Sequence, residues 1–114
     1  MVSPYIPDYG DIVWIVLDPR VGHEQSGRRP AIVISDRRLS EHTSLAVICP
    51  ITSKIKKLPF EIELEKIKTK GSVLPIHVKS VDWSARKIKF IEKAPQNTTD
   101  SVAASVAAMI GLEV

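Results

Sequence analysis

The stretch DIVWIVL, residues 11–17, decides the fold class. It is short, almost wholly apolar and rich in β-branched and aromatic residues, which is typical of a buried strand. Gly10 and the pair Asp18-Pro19 bound it at either end, and both are turn signals. We therefore predict a strand here, with Trp14 in the core.

Further strand patterns recur along the chain at short intervals. Residues 60–64, FEIEL, alternate strictly and predict a strand with one face in solvent. In residues 87–93 the alternation breaks at Ile91, which predicts a bulge. The polar residues 36–43 have room for a short helical turn. The remaining strand patterns are residues 30–35, 44–50, 71–75 and 77–80.

Only the end of the chain has a clear helical period. Asn97 is placed to cap a helix and Gly111 to stop it, so we predict a helix at about residues 98–111. Its apolar stripe comprises Val102, Val106, Met109 and Ile110. About six short strands followed by one helix predict a mostly β fold: a small, strongly curved antiparallel barrel with the helix packed on it.

Length and composition limit the remaining choices. The 114 residues are enough for one domain, residues 1–114, with its own core. Sixteen Lys and Arg against thirteen Asp and Glu permit a polyanionic partner. The single cysteine, Cys49, lies in an apolar run and is interpreted as a buried apolar residue. A signal sequence and a membrane-spanning stretch are both missing, so a soluble, cytoplasmic protein without a membrane partner is expected.

Five stretches, in order and at matching spacing, resemble one known family. They are PDYGDIVWIVLDP (7–19), GHEQSGRRPAIVIS (22–35), CPITS (49–53), LPFEIEL (58–64) and VKSVDW (78–83). The chain is similar to the MazF/PemK toxins, sequence-specific endoribonucleases of type II toxin and antitoxin pairs. The resemblance implies an SH3-like, strongly twisted barrel of the CcdB/MazF/PemK type, a homodimer, and no metal or cofactor. It also implies a MazE-like antitoxin as partner, with DNA bound only indirectly through that complex.

The resemblance also implies a reaction. Cutting single-stranded RNA without a metal uses the 2′-hydroxyl as nucleophile and leaves a 2′,3′-cyclic phosphate and a 5′-hydroxyl. That requires a proton acceptor and a fixed cation for the charge on phosphorus. Arg29, where a strand is expected to begin, suits the cation because a guanidinium stays charged and forks onto two phosphate oxygens. In the family the threonine matching Thr52 works with this arginine.

The proton acceptor has three candidates. Glu24 is the first choice, since a carboxylate near Arg29 stays ionised, and His23 competes because imidazole titrates near neutral pH. Many relatives have an acidic residue where this chain has Ile76, so His77 is a third candidate. The simpler alternative for Glu24 and His23 is that they only order their loop.

The expected RNA-binding residues are drawn from several segments. Lys54, Lys56 and Lys57 in one loop, with Arg86 and its neighbours, are expected to line a basic groove. The family's use of its matching stretch makes Lys79, Ser80 and Asp82 the expected base readers. Gln25 suits reading a base edge. The set is completed by Arg28, Ser53 and His77. Trp83 is interpreted as core in preference to a stacking platform.

Two other functions stay open at this stage. One is a CcdB-like toxin that poisons a protein such as DNA gyrase, although the C-terminal residues 111–114 lack the tryptophan that such toxins use. The other is a noncatalytic RNA-binding module. Against both, the sequence favours an mRNA-cleaving endoribonuclease that inhibits translation and growth.

Overall fold

The computed structural model describes residues 5–17, 27–54 and 57–112 of the chain. Within these ranges seven strands and two helices follow one another, with 3₁₀ turns at Pro75–His77 and Trp83–Ala85. The strands are β1 (Asp11–Val16), β2 (Arg28–Val33), β3 (Leu45–Thr52), β4 (Ile62–Glu63), β5 (Ser72–Val73), β6 (Lys79–Asp82) and β7 (Lys89–Lys93). The helices are α1 (Arg37–Thr43) and α2 (Gln96–Met109).

The strands form one antiparallel sheet in the order β4-β5-β3-β2-β1-β7. Strand β3 is the longest and has three partners: β2, β5 at Ile51–Thr52, and β6 at Leu45–Ile48. Because successive strands curl around β3, the sheet closes toward a half-barrel. The predicted mostly β, antiparallel fold with a C-terminal helix is confirmed.

Each face of the sheet carries its own apolar cluster, as alternation along buried strands requires. One cluster includes Ile12, Ile32, Cys49 and Ile51, and helix α2 adds Val102 to it. The other includes Val13, Ile15, Ala31, Val33 and Ile48. Cys49 is fully buried as predicted, and burial raises its thiol pKa to about 12. Within the described ranges, no helix has the length and apolar character needed to cross a membrane.

The strand predictions hold for the long strands and only in part for the short ones. Of the predicted strand 71–75 only Ser72–Val73 is a strand, and the strand predicted at 77–80 begins at Lys79, because Pro75–His77 form a 3₁₀ turn. Only Ile62–Glu63 of the alternating segment 60–64 is a strand, because Phe60 has a left-handed backbone, φ 66°. The bulge at Ile91 is confirmed, since the pairing of β1 with β7 jumps from Val13↔Phe90 to Ile12↔Glu92.

Two details of the helices differ from the prediction. The polar segment 36–43 forms a full helix, α1, because the Asp36 side chain accepts a hydrogen bond from the Arg38 amide at its N-terminus. Helix α2 starts at Gln96, so Asn97 does not cap it; Pro95 occupies that place, and its carbonyl accepts from the Thr99 amide.

The C-terminal end of α2 is partly as predicted. Gly111 adopts φ 90° and ends the helix, with the Leu112 amide bonded back to the Ala107 carbonyl. Val102 is fully buried and Val106 packs beside it. Ile110 is 75% exposed, so the apolar stripe ends before it.

Gly71 is the glycine on which the site end of the sheet depends. Its φ is +122°, and a Cβ there would lie 2.0 Å from the Thr52 carbonyl oxygen. We expect Gly71→Ala to lower the free energy of unfolding by about 3 kcal/mol or more, because both the backbone strain and the clash must be relieved. Thermal denaturation of the two proteins measures this.

Gly111→Ala is the matched control for that experiment. Gly111 also has a positive φ, but an added Cβ there meets no atom within 4 Å. Only the conformational cost remains, about 1 kcal/mol. Equal losses in the two variants would show that the approach of Gly71 to Thr52 is not tight.

Candidate functional site

A cleft of about 590 Å³ opens where β1, β2 and β3 end beside the loop that precedes β5. Its apolar lining comprises Trp14, Pro30, Ile51 and Ile91. Its polar lining comprises Arg28, Arg29, Ser53, Lys68, Thr69 and Lys70. Four of these side chains are cationic, and none of the described lining residues is acidic. The cleft therefore favours an anionic ligand with an apolar part.

Trp14 lines this cleft, so the prediction that it lies in the core is wrong. The residue is only half-buried, and the Arg28 guanidinium carbon lies 4.8 Å from the centre of its ring. Trp14 pairs with Pro30 across β1 and β2, so the ring faces the side on which Arg28 projects. Periodicity could not reveal this, because it does not show where a face of the sheet opens into a cleft.

Neighbouring arginines lie on opposite faces of β2 because side chains alternate along a strand. Arg28 pairs with Val16, and Arg29 with Ile15, which belongs to the core cluster on the other face. Arg29 is half-buried and also borders the cleft. It therefore lies at the edge where the two faces meet.

Thr52 is brought to the same end of the sheet. The register of β2 on β3 runs Val33↔Ile48, Ile32↔Cys49 and Ala31↔Pro50. Continuing it by two residues sets Arg29 opposite Thr52, on the same face, where paired Cβ atoms are typically ~5 Å apart. The flanking residues Ile51 and Ser53, not Thr52, are the ones that line the cleft.

The Thr52 hydroxyl is oriented by its own loop. The residue is 5% exposed, and its Oγ1 accepts a hydrogen bond from the Lys54 amide at 3.2 Å. With that lone pair occupied, the hydroxyl hydrogen can be donated to an oxygen of a bound ligand. Lys54 and Ser53 themselves are exposed.

The lysines of the loop 66–70 were missed by sequence reasoning. Lys68 and Lys70 reach the cleft because Glu92 of β7 pins their loop: its carboxylate accepts bonds from the Lys68 amide at 3.2 Å and from the Thr69 amide and hydroxyl at 2.7 Å each. Partial burial raises the pKa of Glu92, but the bonds from Thr69 and Lys68 outweigh it and leave that pKa lowered. The alternating run KIKTK was the available signal.

The expected base readers lie toward the other end of β3. Lys79 pairs with Ile48, four residues or ~13 Å along the strand from Thr52. Asp82 accepts bonds from the Ser84 amide and hydroxyl, which hold the turn at 83–85, and the Ser84 hydroxyl lowers its pKa. Ser80 is exposed.

The other expected RNA-binding residues are dispersed. Arg86 is half-buried, and its guanidinium donates to the Val16 carbonyl at 3.4 Å, close to the end of β1. Lys57 borders a separate pocket of about 240 Å³ with Glu61 and Glu63. His77 ends a 3₁₀ turn and is half-buried.

Four predicted site residues fall outside the described ranges, and the contacts of Trp83 decide between its two interpretations. His23, Glu24, Gln25 and Lys56 lie outside the described residues. Trp83 packs against the second core cluster and its indole N–H donates to the Ser40 carbonyl at 3.4 Å, which favours the core interpretation. In the described part of the chain, no three or more His, Cys, Asp or Glu side chains are grouped to hold a metal ion.

Comparisons with known proteins converge on one family. Residues 8–110 match a family model described as a PemK-like, MazF-like toxin of type II toxin-antitoxin systems. The endoribonuclease toxin MazF of Escherichia coli K12 is 42% identical over 86 residues, which are 75% of this chain and 78% of that protein. The Escherichia coli endoribonuclease PemK is 32% identical over 96 residues, covering 79% of this chain and 72% of that protein.

Solved structures agree. The crystal structure of MazF from Deinococcus radiodurans superposes with a TM-score of 0.92 at 37% identity, covering 96% of this chain and 100% of that one. A MazE–MazF crystal structure from the same organism gives a TM-score of 0.86, also at 37% identity and with the same coverage.

The contact between Glu92 and the loop can be tested without any substrate. We expect Glu92→Gln to speed hydrogen exchange at the Lys68 and Thr69 amides about tenfold, since bonds to a charged acceptor are worth about 1.5–3 kcal/mol. Because the folded pKa of Glu92 is lowered, the stabilisation by this contact is fully present above the unfolded pKa of about 4.3 and is lost as pH falls through the lower folded pKa.

Glu65→Gln removes the same charge from the approach to this loop and serves as control. The Glu65 side chain is exposed, so protection at both amides should stay at the wild-type level. If protection in Glu92→Gln also stays there, the loop is held by other contacts.

Proposed function

The chain belongs to the PemK-like, MazF-like toxin family of type II toxin-antitoxin systems, and we propose that it is a metal-independent endoribonuclease that cuts single-stranded RNA. Its relatives in Escherichia coli are named as endoribonucleases. Cutting mRNA in the cytoplasm would stop translation and growth. The observation that supports this chemistry is the register of β2 on β3, Ala31↔Pro50 to Val33↔Ile48, which puts Arg29 opposite Thr52 if it is continued by two residues.

The proposed reaction is a transfer within the RNA backbone. The 2′-oxygen forms a bond to phosphorus, the bond from phosphorus to the 5′-oxygen breaks, and the products are a 2′,3′-cyclic phosphate and a 5′-hydroxyl. The proton leaves the 2′-hydroxyl for a base, and the departing oxygen gains one. Arg29 neutralises the charge on the phosphorane, and Thr52 donates its hydroxyl hydrogen to an equatorial oxygen.

Glu24 is our proposed base, with His23 and His77 as its competitors. Glu24 and His23 precede β2 in the chain by a few residues, so either can approach Arg29. A carboxylate base gives a rate that falls at acidic pH, whereas a histidine base puts that fall near neutral pH.

The partners follow from the charge of the cleft. The four cationic side chains around it suit an acidic, MazE-like antitoxin chain that orders as it binds and covers the site. A MazE–MazF crystal structure exists for the Deinococcus radiodurans relative. We propose the same pairing here, with the toxin as a homodimer and DNA bound only through the antitoxin complex.

The reaction is tested by mapping the ends of cleaved RNA. Purified protein is incubated with mixed-sequence RNA in EDTA, and we expect fragments with 5′-hydroxyl and 2′,3′-cyclic phosphate ends at a short recognition sequence. RNA that is bound but stays intact would support the alternative of a noncatalytic RNA-binding module. RNA left intact while cells acquire DNA breaks would bring forward a gyrase poison.

Two substitutions test the assigned residues. We expect Arg29→Ala to lower kcat by about 10²–10³-fold, since it removes a charge that acts on the transition state. Thr52→Val keeps the shape and removes the donor, and we expect about a tenfold loss or more. Arg38→Ala is the matched control, because Arg38 is an exposed arginine of α1 whose guanidinium pairs with Asp36 at the start of that helix. Normal cleavage by Arg29→Ala would remove the centre of the mechanism.

A further inference from the structure

The proposed cleavage reaction does not use the contact between Arg28 and Trp14. Arg28 is exposed and lies over the indole ring, on the face of β2 opposite to the Arg29 side chain. A guanidinium is planar and stacks on aromatic faces, so one that lies over a ring can take a second planar group on its other side. Arg28 is therefore shaped as a stacking platform and is separate from the Arg29–Thr52 pair.

A second set of cations faces this platform across the cleft. Lys68 and Lys70 line the same 590 Å³ space. Their loop is fixed by three hydrogen bonds to Glu92. The lysine backbone is thus ordered before any ligand arrives, which lowers the entropic cost of binding. The volume suits a ligand the size of one nucleotide.

Together these features match the two parts of a nucleotide. A base can stack on a guanidinium plane or an aromatic ring, and a backbone phosphate is attracted by lysines. An acidic polypeptide would satisfy the lysines but would leave the flat surface of Trp14 and Arg28 without a planar partner. The flat surface therefore favours RNA as the ligand that fits both parts of this space, and an acidic antitoxin chain would compete with RNA for the lysines.

We propose that Trp14, Arg28, Lys68 and Lys70 form a second nucleotide subsite, which holds a nucleotide beside the one that is cut. This subsite rests on the proposed function. The RNA strand passes from Arg29 to Arg28, adjacent residues on β2, and so crosses from one face of the strand to the other. Glu92 is a positioning residue, because it acts only through the loop that carries the lysines.

The subsite is tested by steady-state cleavage of two oligonucleotides. One is long and extends beyond the recognition sequence on both sides. The other is shortened toward the recognition sequence by one flanking nucleotide at a time, until the KM of the wild-type enzyme rises. On the long substrate we expect Arg28→Ala and the double variant Lys68→Gln/Lys70→Gln to raise KM about 5- to 100-fold, the range for one lost stacking or phosphate contact. We expect kcat to change by less than about twofold, because the nucleotide held there does not react.

Substrate length provides the specific readout. On the shortened oligonucleotide the same variants should match wild type, since the nucleotide they contact is absent. Lys66→Gln, which removes a lysine from the same loop but not from the cleft, should match wild type on both. Trp14→Phe should keep most of the affinity that Trp14→Leu loses, because a ring is retained. Should Trp14→Leu fail to fold, the arginine and lysine variants decide alone.

Three outcomes would overturn the subsite. Wild-type KM on the long substrate for the arginine and lysine variants, with wild-type cleavage intact, rejects it while the proposed function stands. Poly-glutamate serves as a model acidic polypeptide. If it inhibits these variants less than it inhibits wild type while their affinity for RNA is unchanged, the cleft binds a protein partner and the subsite is rejected. If wild type cuts no RNA, binding of a 2′-O-methyl oligonucleotide is measured by anisotropy instead, and equal affinity for wild type and Arg28→Ala rejects the subsite independently.

Discussion

The antiparallel pairing of β2 between β1 and β3 is the constraint on which the site depends. Three strands in register fix the direction of each side chain at the sheet end, so Arg28 and Arg29 must point to opposite faces. A slip of one residue would exchange their positions and would also move Ile32 and Val33 out of their clusters. Core burial therefore decides which face of β2 each arginine occupies, and no separate contact has to specify it.

Tight backbone contacts transmit that order to the edge of the site. Gly71 approaches the Thr52 carbonyl more closely than any other residue type would allow. On the other side, the Glu92 carboxylate holds the loop that carries Lys68 and Lys70. Loops that bear several side chains of like charge are ordinarily mobile, because those charges repel one another. Here a closely packed glycine and one carboxylate replace the extensive packing that such a loop would otherwise need.

Much of this architecture was accessible from the sequence, and the failures have physical causes. The long strands β1 and β3 were predicted because burial on both faces leaves an unbroken apolar run. The segment 60–64 was overpredicted because alternation does not reveal a left-handed residue such as Phe60. Trp14 was assigned to the core because hydropathy carries no information on where a sheet face opens. Lys68 and Lys70 were overlooked because their position depends on Glu92, 22 or more residues away in the chain.

The two arginines show why adjacent residues of one type need not share a role. Arg29 is half-buried at the edge of the sheet, where its charge is screened less than it would be on the open surface. Arg28 is exposed and lies on an indole ring, where its charge is screened and its flat surface matters more. The first environment suits charge that develops during a reaction, and the second suits a planar group that must be held still. Because side chains alternate between the two faces of a strand, two consecutive residues can serve catalysis and substrate binding separately.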